Sequence, residues 1–293
     1  MLSINKGIVL CFAAYASFSV QDAVMKWMVA DFSVAELLFW RSLTMLLVCL
    51  AIGRRQLVSQ TLASPVLKPL MWRSFIAGLA WVFYYLSAKE LTLAQMTTLY
   101  YSAPVIVVVL AVAFLQEKPT PMQWASVVIG FVGVLVASRP SFTSQALSVF
   151  YALFSALLWA YTYVLLRQLA GKASVLMQMF AANGMFVLMT GLSLPFTFTV
   201  WDDNTIMVML LTGLIGGLGQ YLLFVSFEHV EATVLAPIEY TGLIWAFLFS
   251  FLIWGDEPNA FLISGAVLIA ISGLVSIIAN DRKTKSLMVN AES

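Results

Sequence analysis

The chain has 293 residues, of which 62% are apolar and 10% charged, with a net charge of +1 and a mean hydropathy of +0.95. A soluble domain carries about 25% charged residues, so this composition excludes a water-wrapped globule, and the near-zero net charge leaves no electrostatic footprint for nucleic acid. Apolar runs of about 18 to 23 residues recur, each long enough to cross a hydrocarbon core about 30 Å thick, without the alternation of a membrane barrel. Backbone in hydrocarbon must satisfy its own hydrogen bonds, so the expectation is an all-α polytopic membrane protein.

The first span is placed at 7–29. It differs from a secretion signal in its length, its internal Asp22 and Lys26, and its lack of a cleavage site. The second span, 34–52, follows a tight turn at Asp31-Phe32-Ser33. Asp22 and Arg41 both fall about 12–14 Å from that turn at 1.5 Å per residue, so they can pair at one depth. Charges inside spans cost roughly 2.5–3.5 kcal/mol each on insertion scales, which makes them functional pointers. Arg41 suits a carboxylate, and Asp22 suits an ammonium group or a proton. The competing reading is a structural ion pair that locks the first two spans. Lys26 and Glu36 lie nearer the surface, solvated or paired there. Cys11 and Cys49 lack metal-ligand spacing and read as small core residues. The connection from Gly53 to Pro69 is polar and basic and is compatible with a surface helix.

The third span, 70–88, carries Trp81 and Tyr85 four residues apart, and the fourth, 93–115, opens on Tyr100 and Tyr101 ahead of Pro104. A fifth span at 121–138 follows the turn after Glu117. The sixth, 147–167, holds Trp159 and Tyr163, and the seventh, 174–195, is thinned by Gly184 and Gly191. The eighth, 206–227, contains Gly213 to Gly219, a small-residue stretch suited to close helix contact, and Gln220. The ninth, 232–254, carries Pro237, Glu239, Tyr240 and Trp245. Prolines inside helices free a carbonyl and open the helix locally, so Glu239 beside Pro237 is a candidate proton or cation carrier. Rings at helical spacing are packing or interfacial anchors by default; several converging on one cavity would suit a planar or cationic ligand. The tenth span is 260–279, and the tail, 281–293, is polar. His229, in the turn before the ninth span, has no metal-ligand set around it.

Orientation follows from lysine and arginine. With the N-terminus inside, the inner segments hold Lys6, Arg54, Arg55, Lys68, Arg73, Lys118, Arg167, Lys172, Arg282, Lys283 and Lys285, and the outer loops only Lys89 and Arg139. Both termini are expected in the cytoplasm.

The chain also repeats itself. Ala77–Leu110 returns about 139 residues later as Gly216–Phe249, pairing Gly78 with Gly217, Ser87 with Ser226 and Tyr101 with Tyr240. Glu117, Ala125 and Gly133 answer Glu257, Gly265 and Gly273, while Lys26 and Ser33 answer Arg167 and Ser174. An odd number of spans per half inverts the second half, a symmetry suited to alternating access around a midplane site. The expected units are 1–140, 141–280 and a cytoplasmic tail, 281–293. The halves part company at Asp22/Tyr163, Arg41/Ala182 and Tyr100/Glu239.

The spans ending at Glu117 and at Asp256-Glu257, each followed by a glycine-containing helix, resemble the drug/metabolite transporter superfamily in its EamA-type branch. Gln21–Arg41 (QDAVMKWMVADFSVAELLFWR) and Ala236–Glu257 (APIEYTGLIWAFLFSFLIWGDE) add to the likeness, which covers about Lys6 to Asn280. The resemblance implies ten helices in two inverted five-helix repeats, packed as a basket around a cavity lined mainly by helices 3, 4, 8 and 9. It also implies transport of amino acids, riboflavin, S-adenosylmethionine, opine-type metallophores or drugs. Glu117, Asp256 and Glu257 read as turn and gate-edge residues.

The function expected is secondary transport of a zwitterionic or ring-bearing metabolite across the inner membrane, with export favoured over uptake. The candidate substrate residues are Asp22, Arg41, Trp81, Tyr85, Tyr100, Tyr101, Trp159, Tyr163, Gln220, Glu239 and Tyr240, with Glu239 and Asp22 as proton carriers. The partners expected are the lipid bilayer, a small-molecule substrate and protons, in a monomer or homodimer, with no cofactor and no metal. A membrane-embedded enzyme would need a nucleophile–base pair or a phosphate-binding motif. A receptor or assembly factor would need extramembrane surface that these short loops lack.

Overall fold

A computed structural model describes residues 2–91, 93–138, 146–197, 201–255, 260–261, 263–265, 267–275 and 278–279. Arg139, Asp256, Glu257 and the tail lie outside the described residues. The described residues form α1 (Leu2–Met28), α2 (Val34–Leu62), α3 (Leu67–Ser87), α4 (Leu93–Tyr100), α5 (Ala103–Leu115), α6 (Pro121–Ser138) and α7 (Ala146–Leu169). They continue with α8 (Val175–Gly191), α9 (Leu194–Thr197), α10 (Asp203–His229), α11 (Ala232–Glu239), α12 (Thr241–Trp254) and an apolar helix at Ile263–Val275. Among the described residues, six helical stretches are long and apolar enough to cross a membrane. The protein is an all-helical polytopic membrane protein.

Short polar residues set where helices begin. The Oγ of Ser33 accepts from the Glu36 amide at 3.2 Å to cap α2, and Ser174 does the same for Met177 and α8 at 3.2 Å. This explains the match of the two serines across the repeat. Exposed Asp202 caps α10 by accepting from the Thr205 amide at 3.0 Å, and hydrogen bonds from the Thr205 side chain and backbone hold its carboxyl below the ordinary range. After the second span, α2 bends at Arg54 (φ 51°, ψ −154°) and continues as a helix to Leu62, which gives the basic connection its helical form.

Two spans are broken, each near its proline. Pro104 stands in the first turn of α5, where its missing N–H leaves no gap, so α4 ends at Tyr100 and α5 restarts at Ala103. Pro237 lies inside α11, which ends two residues later at Glu239, and α12 restarts after Tyr240. The breaks fall at the repeat-matched Tyr101 and Tyr240, whose rings meet edge-to-face at 6.1 Å.

Helix packing obeys the repeat throughout. α1 packs on α10 as α3 packs on α7; α1 packs on α12 as α5 packs on α7; α3 packs on α8 as α10 packs on α2; and α2 and α8 pack on each other. Each half therefore buries its helices against the other. Glycines permit the closest of these contacts: a Cβ on Gly78 would press on Phe186 and Met189 of α8, and one on Gly217 would overlap Met45 of α2. Gly213 and Gly219 likewise abut Thr44 and Phe18, so α10 lies against α1 and α2 at once.

The ends of the helices show the inversion. Lys26 donates to the carbonyls of Ala88 and Leu91 just past α3, so the ends of α1 and α3 share a face. From there α4 and α5 cross to the other face, about 34 Å at 1.5 Å per residue. Glu117 then lies 3.9 Å from Arg167, near the end of α7. The matched helices α1 and α7 therefore point in opposite directions.

Candidate substrate site

A cavity of about 30 Å³ lies between α1, α3, α7 and the α4–α5 break. Tyr15, Phe18, Ser19 and Asp22 reach it from α1, and Ala80, Trp81 and Tyr84 from α3. Tyr100 and Tyr101 line it at the break, and Ser155 and Trp159 from α7. The rings form a continuous wall: Tyr84 to Tyr100 at 4.9 Å, Tyr100 to Trp159 at 6.4 Å, Trp159 to Trp81 at 6.2 Å. These walls come from the first, third, fourth and sixth spans, whereas the resemblance implied helices 3, 4, 8 and 9.

Asp22 is the charged group on the wall. Its Oδ1 accepts from the Tyr85 hydroxyl at 2.7 Å and its Oδ2 from Tyr84 at 3.3 Å. Tyr85 in turn accepts from Gln21 Nε2 at 3.0 Å, and Gln21 Oε1 accepts from Arg41 Nε at 2.7 Å. Asp22 and Arg41 are thus joined by a relay through Gln21 and Tyr85, and the direct ion pair that equal depth allowed does not form. The Arg41 guanidinium is 2% exposed and stacks 4.4 Å over the Trp81 ring, with Nη1 lacking a partner. Trp81 separates this cation from the cavity.

Glu239 lies behind Trp159. It is 0% exposed, and its Oε1 accepts from Trp159 Nε1 at 2.9 Å. Oε2 has no hydrogen-bond partner, although Tyr15 and Tyr100 flank the carboxyl. No basic residue among those described pairs with it.

Of the residues singled out from the sequence, Asp22, Trp81, Tyr100, Tyr101 and Trp159 meet at the cavity. Tyr85, Arg41 and Glu239 touch that wall from behind. Tyr163 and Tyr240 also meet wall rings from behind, Trp159 at 6.4 Å and Tyr101 at 6.1 Å, and Gln220 does not line the cavity. Tyr163 packs against Phe227 at 4.5 Å, Gln220 accepts from Asn183 at 2.9 Å, and Tyr240 donates to the Val127 carbonyl at 3.3 Å. Gln21, Tyr84, Tyr15 and Ser155 were missed. Being neutral, they left no mark in a charge-based reading; Tyr84 and Ser155 do sit one helical turn from chosen rings, at Trp81 and Trp159.

Three further charges differ from expectation or refine it. Arg73 is 2% exposed inside the bundle, 4.4 Å over Phe224, and so does not belong among the inner-surface cations. Glu36 is buried, accepting from Trp201 Nε1 at 2.8 Å. Lys26 is partly buried on its two carbonyls.

The EamA-like transporter family matches residues 5–139 and again 146–278. The chain belongs to this family. It is 29% identical to an uncharacterized transporter of Helicobacter pylori over 92% of this chain and 93% of the relative. It is also 26% identical to the pseudopaline exporter of Pseudomonas aeruginosa, over 92% and 95%. Against an S-adenosylmethionine uptake transporter of Rickettsia bellii the identity is 25%, over 92% of each. A crystal structure of a protein 17% identical shares the fold, with a TM-score of 0.74 over 95% of this chain and 98% of its own. Family and relatives make the protein a transporter that handles a small molecule in a membrane.

Proposed function

We propose that this EamA-family member is a secondary active transporter for a metabolite with a cationic centre, held by Asp22 inside the aromatic wall. The observation that carries the reading is the pairing of that carboxylate with Trp81, Tyr84, Tyr100 and Trp159, since ring faces and a carboxylate attract the same kind of ligand. A zwitterionic or ring-bearing compound fits: an amino acid derivative, an opine-type metallophore or a flavin. S-adenosylmethionine, named for a relative, combines a ring system, an amino acid and a sulfonium cation. Its carboxylate would find Arg41 once Trp81 turns aside, because Nη1 of that guanidinium is unpartnered.

Glu239 supplies the coupling. A buried carboxylate with a free oxygen and no counter-charge needs either a proton or a cationic ligand, and exchanging one for the other links substrate movement to proton movement. The halves, 1–140 and 141–280, rock about the site in the cytoplasmic membrane with both termini inside, and the direction proposed is export. Relatives named for export and for uptake both exist, so direction is a property to measure.

Proteoliposomes loaded with radiolabelled S-adenosylmethionine or a panel of amino acid derivatives test this reading. Saturable flux is expected from the parent. Asp22→Asn should cut it at least about tenfold, corresponding to about 1.4 kcal/mol. Glu239→Gln should retain substrate exchange while losing its response to a pH gradient. Parental flux in both variants would sink the site, and chemical turnover without flux would sink transport.

A further inference from the structure

We infer that Lys26 and Arg167 are a matched pair of end clamps, one for each mouth of the cavity, and that releasing either opens the site to that face alone. The inference rests on the transporter reading and adds to it the residues that decide which mouth opens.

The same bond is made twice. Lys26, near the end of α1, donates to Ala88 O and, at 2.9 Å, to Leu91 O, beyond the last turn of α3. Arg167, near the end of α7, donates through Nη1 to Phe227 O at 2.6 Å, in the last turn of α10. α7 and α10 are the repeat counterparts of α1 and α3, and Phe227 follows Ala88 by the offset of about 139 residues that relates the halves. In both places a cation meets a carbonyl at a helix C-terminus, Ala88 O at the end of α3 and Phe227 O in the last turn of α10, where carbonyls lack a partner in the next turn and carry the negative end of the helix dipole. The two clamps lie at opposite faces, because α4 and α5 cross the protein between them.

Their placement suits gating. Asp22 on α1 and Trp81 and Tyr84 on α3 line the cavity together, and Asp22 accepts from Tyr84 at 3.3 Å. Lys26 ties those two helices together at one end of it. The Arg167 end carries a carboxylate as well. Glu117 accepts from the amides of Ala232 and Thr233 at 3.2 and 3.1 Å, capping α11, and its carboxylate lies 3.9 Å from Arg167 Nε. One carboxylate and one guanidinium thereby join α7, α10, α11 and the end of α5. Both clamps are formed here.

The test uses the full chain with Cys11 and Cys49 replaced by serine and a reporter, Ser155→Cys, in the cavity wall. A membrane-impermeant maleimide is applied to right-side-out and to inside-out vesicles, without substrate. Lys26→Met should speed labelling at least tenfold from the Lys26 face only, and Arg167→Met from the opposite face only. Lys26→Arg should stay within threefold of the parent. If either methionine variant fails to give monodisperse protein, Lys26→Leu and Arg167→Leu, which also remove the donor, are read in the same way. Faster labelling from both faces in either variant, or parental rates in both, overturns the inference. Because labelling needs no substrate, it remains readable even if the flux assay fails.

Discussion

Asp22 reaches the cavity with both carboxylate oxygens already held by tyrosine hydroxyls, and Gln21 passes the pull of Arg41 along the same row. The row depends on an absence. A Cβ on Gly216 would overlap Gln21 Oε1 and sit 3.2 Å from Arg41 Nε. Gly216→Ala should therefore cost about 1–3 kcal/mol as an overpacking change, seen as a lower Tm in detergent. Adding Gln21→Ser should recover part of the loss; additive effects in the double variant would show that the two residues do not meet. Asp22 and Arg41 were legible in the sequence because a charge in a span is expensive and stands out. Gln21 carries no such mark, and its only trace was the glycine run on α10 that makes room for it.

At the level of single elements, hydropathy placed the spans well, since each helix must cover the same thickness of hydrocarbon. Breaks within spans were legible only through Pro104 and Pro237; the sequence did not say that they would fall on Tyr101 and Tyr240. Left-handed backbone was not legible either. Gln116 caps α5 at φ 54°, ψ 26°, where the Cβ of an L-residue crowds the following carbonyl. Gln116→Gly should raise stability by about 1 kcal/mol, measured as a higher Tm in detergent with flux unchanged. A fall in Tm would mean that the Gln116 side chain contributes more than its backbone costs. The neighbouring Glu117, expected at a gate edge, gains a physical role as the cap of α11 and partner of Arg167.

For the molecule as a whole, the repeat was readable because matched glycines, serines and tyrosines occupy matched contacts. The cavity was less readable, because its walls come chiefly from one half and ring spacing alone does not tell a wall from a core. Tyr163 and Tyr240 show this: both are buried and meet wall rings, Trp159 at 6.4 Å and Tyr101 at 6.1 Å, yet neither lines the cavity. The interleaving of the halves also bears on synthesis. The ribosome releases α1 to α6 first, and the surfaces that will cover α1, α2 and α3 belong to α7, α8 and α10, which do not yet exist. During that interval Arg73 lacks Phe224 to stack on, and the Gly216 notch that receives Gln21 has not been made. The newborn first half is thus an obligate intermediate that must be sheltered in the membrane until its counterpart arrives. Expressed alone, 1–140 should be degraded within minutes. Co-expression with 141–293 should restore both pieces to a co-purifying pair, and a long-lived 1–140 fragment would show that each half is self-sufficient.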